Sequence, residues 1–300
     1  MFWTQRQDIG PGARAQAAAA YDEERQRFVV FGGYGGPGIG DTWEWDGELW
    51  TQVADIGPSS RFLAAMAYDA ERKCTVLFGG LGSSMLGDTW VWDGADWTQV
   101  ADTGPVRRSS HAMAFDAARK EIVLYGGWSQ FAEPGPVLGD TWVWDGADWT
   151  QKEDVGPGAR YAHAMAFDAG RARTTMFGGG SSADIQTAAH GDTWDWDGAK
   201  WAQVAHTGPV PRWGHGMAFH GERVVLFGGA KGYSYPADLF GDTWAWDGKY
   251  WTEVQDIGPA TRAFAAMAHD MSRERLVLFG GLSAAPLGDT WEWFDHSPAT

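Results

Sequence analysis

The chain has 300 residues, 44% of them hydrophobic, a formal net charge of −16 and one cysteine. So acidic a protein is excluded as a partner for a nucleic-acid backbone, whose phosphates need a basic face, and is a poor match for an anionic membrane; no apolar run reaches the length of a bilayer span. Lone Cys74 rules out an internal disulfide and reads as a small buried side chain, and the opening Met1-Phe2-Trp3-Thr4-Gln5 has no basic-then-apolar leader, so a complete chain would be cytoplasmic.

The first predicted element is a short strand at Trp3-Thr4-Gln5. It has the sequence of the last strand of a unit that then recurs six times. An arginine shortly after Gly-Pro marks each copy: Arg14, Arg61, Arg108, Arg160, Arg212 and Arg262, spaced 47, 47, 52, 52 and 50 residues apart. A Gly-Gly pair closes an apolar run at Gly33, Gly80, Gly127, Gly179, Gly229 and Gly281. Gly-Asp-Thr-Trp-x-Trp begins at Gly40, Gly87, Gly139, Gly191, Gly241 and Gly288.

Each copy reads as four strands. In the third, strand a ends Ala112-Met113-Ala114-Phe115, and Asp116-Ala117-Ala118-Arg119 turns the chain. Strand b is Ile122-Val123-Leu124-Tyr125 and stops at Gly126-Gly127. Strand c is Thr141-Trp142-Val143-Trp144, whose two tryptophans share a face, and Asp145-Gly146 is a tight-hairpin signal before strand d at Trp149. Helical periodicity is absent throughout. A lone four-stranded sheet of this kind would expose two apolar faces and two edges; radial stacking into a ring covers both. Eighteen of the twenty tryptophans fall at three repeat positions, suited to filling the gaps between blades. The final copy ends on a c strand, Thr290 to Trp293, and lacks its d strand. The expectation is one all-β domain over residues 1–300: a six-bladed β-propeller with four antiparallel strands per blade. The N-terminal strand at Trp3 closes the ring by pairing beside Trp291 in the last blade.

The diglycine after an apolar strand (Phe78-Gly79-Gly80), the following Asp88 to Asp93, the later Trp97 and Arg108-Ser109-Ser110-His111 at the head of strand a together resemble the kelch-repeat family. The resemblance covers all six copies and implies the propeller fold. It says little about activity, because such propellers include adaptors, sugar-handling proteins and oxidases. A galactose-oxidase-like centre needs a cysteine joined to tyrosine, which strand-borne Cys74 does not suit, and no Glu-x-x-x-Asp-x-x-x-His run for iron is present. Gly36-Pro37-Gly38-Ile39-Gly40 precedes no helix and is not a phosphate loop. Asp192, Asp195 and Asp197 lack the twelfth-position acid of a calcium loop, which is Gln203 here.

Function is sought where the repeat departs from itself. Between Gly-Gly and Gly-Asp-Thr, copies 1, 2 and 6 have six residues and copies 3, 4 and 5 have eleven. The third residue after the recurring arginine is Ala17, Ala64 and Ala265 in the first group and His111, His163 and His215 in the second. The two tryptophans outside the repeat positions, Trp128 and Trp213, also fall in copies 3 to 5. A candidate ligand-binding face follows, on loops held by a rigid ring. Its aromatic walls are Trp128, Phe131, Tyr161, Trp213, Tyr233 and Tyr235; its polar groups are Glu133, Asp184, Gln186, Asp238, the three histidines and Arg107. Such a mixture suits a peptide, a protein loop or a glycan.

One Arg and one Asp per copy read as a structural ion pair rather than an anion-binding ring. Three imidazoles from adjacent blades are the alternative metal centre, an enzyme site at the channel mouth. A histidine at this position in kelch repeats packs between blades, so no cofactor is expected, and the sequence singles out no catalytic residue. The remaining histidines, His206, His220, His269 and His296, read as surface residues. The leading expectation is a monomeric binding propeller; a repeat scaffold without a natural ligand is the third reading.

Overall fold

The computed structural model describes residues 2–6, 9–130, 136–152, 156–181, 189–232, 238–255 and 257–294. Strand β1 (Phe2–Gln5) comes first. Blade 1 is β2 (Ala18–Asp22), β3 (Arg27–Tyr34), β4 (Gly38–Trp45) and β5 (Trp50–Ala54). Blade 2 is β6 (Ala65–Asp69), β7 (Cys74–Leu81), β8 (Met85–Trp92) and β9 (Trp97–Ala101). Blade 3 is β10 (Ala112–Asp116), β11 (Glu121–Trp128), β12 (Val137–Trp144) and β13 (Trp149–Gln151). Blade 4 is β14 (Ala164–Asp168), β15 (Arg173–Phe177), β16 (Thr193–Trp196) and β17 (Trp201–Ala205). Blade 5 is β18 (Gly216–His220), β19 (Arg223–Phe227), β20 (Thr243–Trp246) and β21 (Trp251–Gln255). Blade 6 is β22 (Ala266–Asp270), β23 (Arg275–Phe279) and β24 (Thr290–Phe294), completed by β1. The protein is therefore the six-bladed β-propeller that the repeat implies. β1 runs antiparallel to β24 with Trp3 opposite Trp293 and Gln5 opposite Trp291.

Strand b of each blade is buried on both faces because both faces meet a neighbouring blade. Val123 packs with Met165, Met176 and Trp196 of blade 4, while Ile122 and Leu124 pack with Val76 and Phe78 of blade 2. This explains continuous apolar runs in place of the alternation of a half-exposed strand. The d-strand tryptophan of every blade donates its indole N–H to the Thr of the preceding blade's Asp-Thr-Trp. The pairs are Trp97 to Thr42, Trp149 to Thr89, Trp201 to Thr141, Trp251 to Thr193, Trp3 to Thr243 and Trp50 to Thr290, all at 2.8–2.9 Å. The closing strand thus reproduces the bond made at the other five junctions.

The recurring arginine fixes each blade twice. Arg108 is wholly buried; its guanidinium donates to both carboxylate oxygens of Asp140 at 2.7 Å and to the Gly126 carbonyl at 2.9 Å. Its backbone carbonyl accepts the Gly80 N–H of the preceding blade at 2.8 Å. A side chain on Gly79, which has a φ of +65°, would stand 2.7 Å from that same carbonyl, so the diglycine is required for the approach. Burial alone would raise the six aspartates, Asp41, Asp88, Asp140, Asp192, Asp242 and Asp289, but hydrogen bonds from arginine and from the indole two residues on outweigh it and hold their carboxyls low. The arginines are framework. Arg108→Met is expected to destabilise the protein by about 3–5 kcal/mol, because it strands a desolvated carboxylate. Urea unfolding checks this, and the double variant with Asp140→Ala should cost less than the two single changes added together.

Two residues after each arginine the backbone enters the left-handed region: Gln16, Leu63, Ser110, Ala162, Gly214 and Phe264, with φ from 52° to 66°. Five of these six carry side chains, which that conformation penalises. The compensation is a closed circle of hydrogen bonds around the axis. Leu63 N–H donates to Gln16 C=O, Ser110 to Leu63, Ala162 to Ser110, Gly214 to Ala162, Phe264 to Gly214 and Gln16 to Phe264, at 2.6–3.0 Å.

Two expectations need correction. His220 is buried and His269 half-buried, in ring contact with each other at 4.7 Å, rather than lying on the surface. Cys74 is half-buried at the start of β7, not sealed in the core, and desolvation pushes its thiol up to about 11. His296 lies outside the described residues.

Candidate functional site

Stacked rings of side chains line the axis, one residue per blade in each ring. At the end where strand a begins lie Ala17, Ala64, His111, His163, His215 and Ala265, beside the hydrogen-bonded circle, around a cavity of about 120 Å³. The three histidines predicted from separate repeats do meet at one mouth. Each imidazole is 6% exposed and stands edge-on to the aromatic ring just before the Gly-Gly of the preceding blade: Phe78–His111 at 5.5 Å, Tyr125–His163 and Phe177–His215 at 5.6 Å.

None of the six ring nitrogens makes a well-formed hydrogen bond within the protein. Burial, reinforced by the Arg108 guanidinium, pushes His111 down to about 3, which the Phe78 carbonyl only partly offsets. His215 falls to about 3 by burial and Arg212, and His163 well below its ordinary value by burial and Arg160. Burial thus disfavours the imidazolium form at all three, the form in which histidine serves as a general acid near neutrality. Among the described residues their ligand atoms do not gather within 4.8 Å of one another.

The rim above them is built by a short bridge in every blade between the residue after the arginine and the residue after Gly-Gly. The pairs are Ala15–Tyr34, Phe62–Leu81, Ser109–Trp128, Tyr161–Gly180, Trp213–Ala230 and Ala263–Leu282. Five of the six bridges combine one bulky side chain with one small one; only Phe62–Leu81 brings two large ones together. Trp128, Tyr161 and Trp213 are half-buried there, and Trp213 reaches Phe264 of blade 6 at 5.2 Å. Their equivalents in the other blades, Tyr34, Phe62 and Leu282, make the rim continuous around the ring, which the comparison of loop lengths missed. Asp238 is exposed beside blade 5, its backbone carbonyl accepting the Lys231 N–H at 3.0 Å. Arg107 is exposed but stands apart from the histidines, in a groove of about 650 Å³ with Met85, Leu86, Asp88, Asp102 and Val106. Phe131, Glu133, Asp184, Gln186, Tyr233 and Tyr235 lie outside the described residues.

The opposite end of the axis holds a feature with no counterpart among the predicted site residues. Below the Ala/His ring come Ala19, Met66, Met113, Met165, Met217 and Met267, then a ring of alanines. Last comes a ring of Tyr21, Tyr68, Phe115, Phe167, Phe219 and His269; together these line a cavity of about 550 Å³. The signal was present as the recurring Ala-Met-Ala-aromatic of strand a, but periodicity alone assigns it to the core. No helix among the described residues is long and apolar enough to cross a membrane. Comparison of the chain with protein-family models and with curated proteins finds no match.

Proposed function

We propose that this is a non-catalytic binding propeller of the kelch type, holding a peptide, a protein loop or a glycan on the face of blades 3 to 5. The observation that carries this reading is the rim: half-buried Trp128, Tyr161 and Trp213 on backbone bridges anchored to a rigid ring. Indole and phenol groups fixed in place give a ligand large contact areas with little side-chain entropy to lose, and serve apolar side chains and sugar faces alike. The neutral, shielded histidines beneath the rim fit packing better than acid–base work.

Peptide and glycan arrays test this. Trp213→Ala is expected to weaken binding by about 2 kcal/mol, some thirtyfold, as for a buried aromatic anchor. A second reading, an apolar small molecule in the bore, is favoured by the cavity of about 550 Å³ and its flexible methionines. Phe167→Ala at the far end discriminates: binding lost there and kept in Trp213→Ala moves the site to the bore.

A further inference from the structure

We propose that His220, His269 and Glu274, at the end of the bore opposite the three-histidine mouth, form a binding site for a divalent transition metal of the zinc type. Strand a of the six blades ends Tyr21-Asp22, Tyr68-Asp69, Phe115-Asp116, Phe167-Asp168, Phe219-His220 and His269-Asp270. The repeat thus prescribes an aromatic residue followed by aspartate. It is broken once at each position, and the two breaks face each other across one junction, between blades 5 and 6. At the next junction the equivalent contact is a phenol on a carboxylate, Tyr21 donating to Asp270 at 2.6 Å. At the 5–6 junction it is imidazole against imidazole, with ring centroids 4.7 Å apart and planes at 86°.

The turn changes with them. Between strands a and b the other five blades have four residues, including an arginine that pairs with the aspartate: Arg25, Arg72, Arg119, Arg171 and Arg273. Blade 5 has only Gly221-Glu222 there. Acid and arginine are replaced together, so the junction presents two imidazoles where the others present a closed ion pair.

Glu274 completes the group. It occupies the left-handed turn position of blade 6, with a φ of 51°, and its carboxylate lies 3.8 Å from His269 Nε2. One ligand atom from each of the three residues falls within 4.8 Å of the others, the one such group among the described residues. Tetrahedral zinc with bonds of about 2.0–2.1 Å needs ligand atoms about 3.3 Å apart. The exposed Glu274 side chain is free to close that gap, while Trp293, 5.3 Å from His220, backs the site on the core side. His269 Nε2 is buried and makes no hydrogen bond within the protein, which leaves its lone pair for a ligand. Two imidazoles and one carboxylate favour zinc, cobalt, nickel or copper over magnesium or calcium, and leave a coordination position open toward the bore.

Cobalt(II) titration of protein made without a histidine tag tests the site. One equivalent is expected to bind with the intense visible bands of a tetrahedral ion, displaced by zinc. Zinc at a hundredfold excess over its dissociation constant should raise the melting temperature by about 4 °C. His269→Phe, which restores the residue type of the other blades and so keeps the fold, should lose cobalt binding at least tenfold, as should Glu274→Gln. The variant with His111, His163 and His215 all changed to Ala should bind as the parent does. Absence of cobalt bands in the parent, their survival in His269→Phe, or their loss with the three upper histidines would each overturn the assignment.

Discussion

Deletion of residues 1–6 is expected to lower the melting temperature by roughly 10–15 °C. The strand is short, but it supplies everything the sixth blade lacks. Trp3 is buried against Phe227 at 5.1 Å, and truncating such a side chain alone costs about 3–5 kcal/mol. Its indole satisfies Thr243, Phe2 packs on Phe294 at 4.2 Å, Arg6 N–H donates to the Thr290 carbonyl at 2.8 Å, and the Arg6 guanidinium lies 3.4 Å from Glu292. Four residue pairs of β1 with β24 vanish and an apolar edge opens. A total near 8 kcal/mol, against an unfolding entropy of about 0.6 kcal/mol/K for a chain this long, gives the shift stated. Calorimetry of the truncated and full chains measures it, and Trp3→Ala should fall between them. An unchanged melting temperature would mean that β1 does not close the ring.

The second large effect is acid lability that begins near neutrality. His111 and His215 titrate at about 3 in the fold, and His163 well below its ordinary value, against about 6.5 in the unfolded chain. Protons therefore bind the unfolded chain first. The stability these groups confer is complete above pH about 6.5 and declines as pH falls toward 3, each imidazole contributing up to about 1.4 kcal/mol per pH unit. The paired aspartates act later: with carboxyls held low, Asp192 at about 2, their stabilisation persists above about 3.9 and is lost as pH falls through the folded value. From about pH 6.5 to about pH 4 the buried imidazoles dominate. Changing all three to alanine, the residue of blades 1, 2 and 6, should reduce the dependence of the urea midpoint on pH in that window to what His190 and His269, also lowered by burial, still contribute, whatever the change does to stability at neutral pH. The same slope in parent and variant would show that the imidazoles are charged in the fold.

What the sequence revealed follows from which features repeat. Six copies of Arg, Gly-Gly and Asp-Thr-Trp-x-Trp set the blade number, the strand order and the ion pairs, because any arrangement shared by six segments must satisfy the same neighbours six times. The closing strand was legible because Trp3 lies on a lone d strand and Trp293 on a blade that lacks one. The site was only partly so. Meeting of His111, His163 and His215 follows from rotational symmetry alone, whereas their shielding depends on the aromatic end of the preceding strand b, a contact between blades that no local pattern encodes. His220 and His269 were misread for the same reason: 49 residues apart, they gain meaning only as occupants of adjacent slots in a ring. Trp128 looked exceptional until its bridge with Ser109 placed it beside Tyr34 and Phe62 as the large member of a recurring pair.

The circle of backbone hydrogen bonds running through Gln16, Leu63, Ser110, Ala162, Gly214 and Phe264 has a consequence for whatever approaches that end of the axis. Its N–H and C=O groups are already engaged with one another, so the main chain there offers a guest no unbonded N–H. Widening the aperture at one blade breaks two links at once, which makes it a stiff gauge rather than an adjustable gate. What that end of the cavity offers beside the circle is side chain alone: amide and hydroxyl from Gln16 and Ser110, hydrocarbon from Leu63 and Phe264.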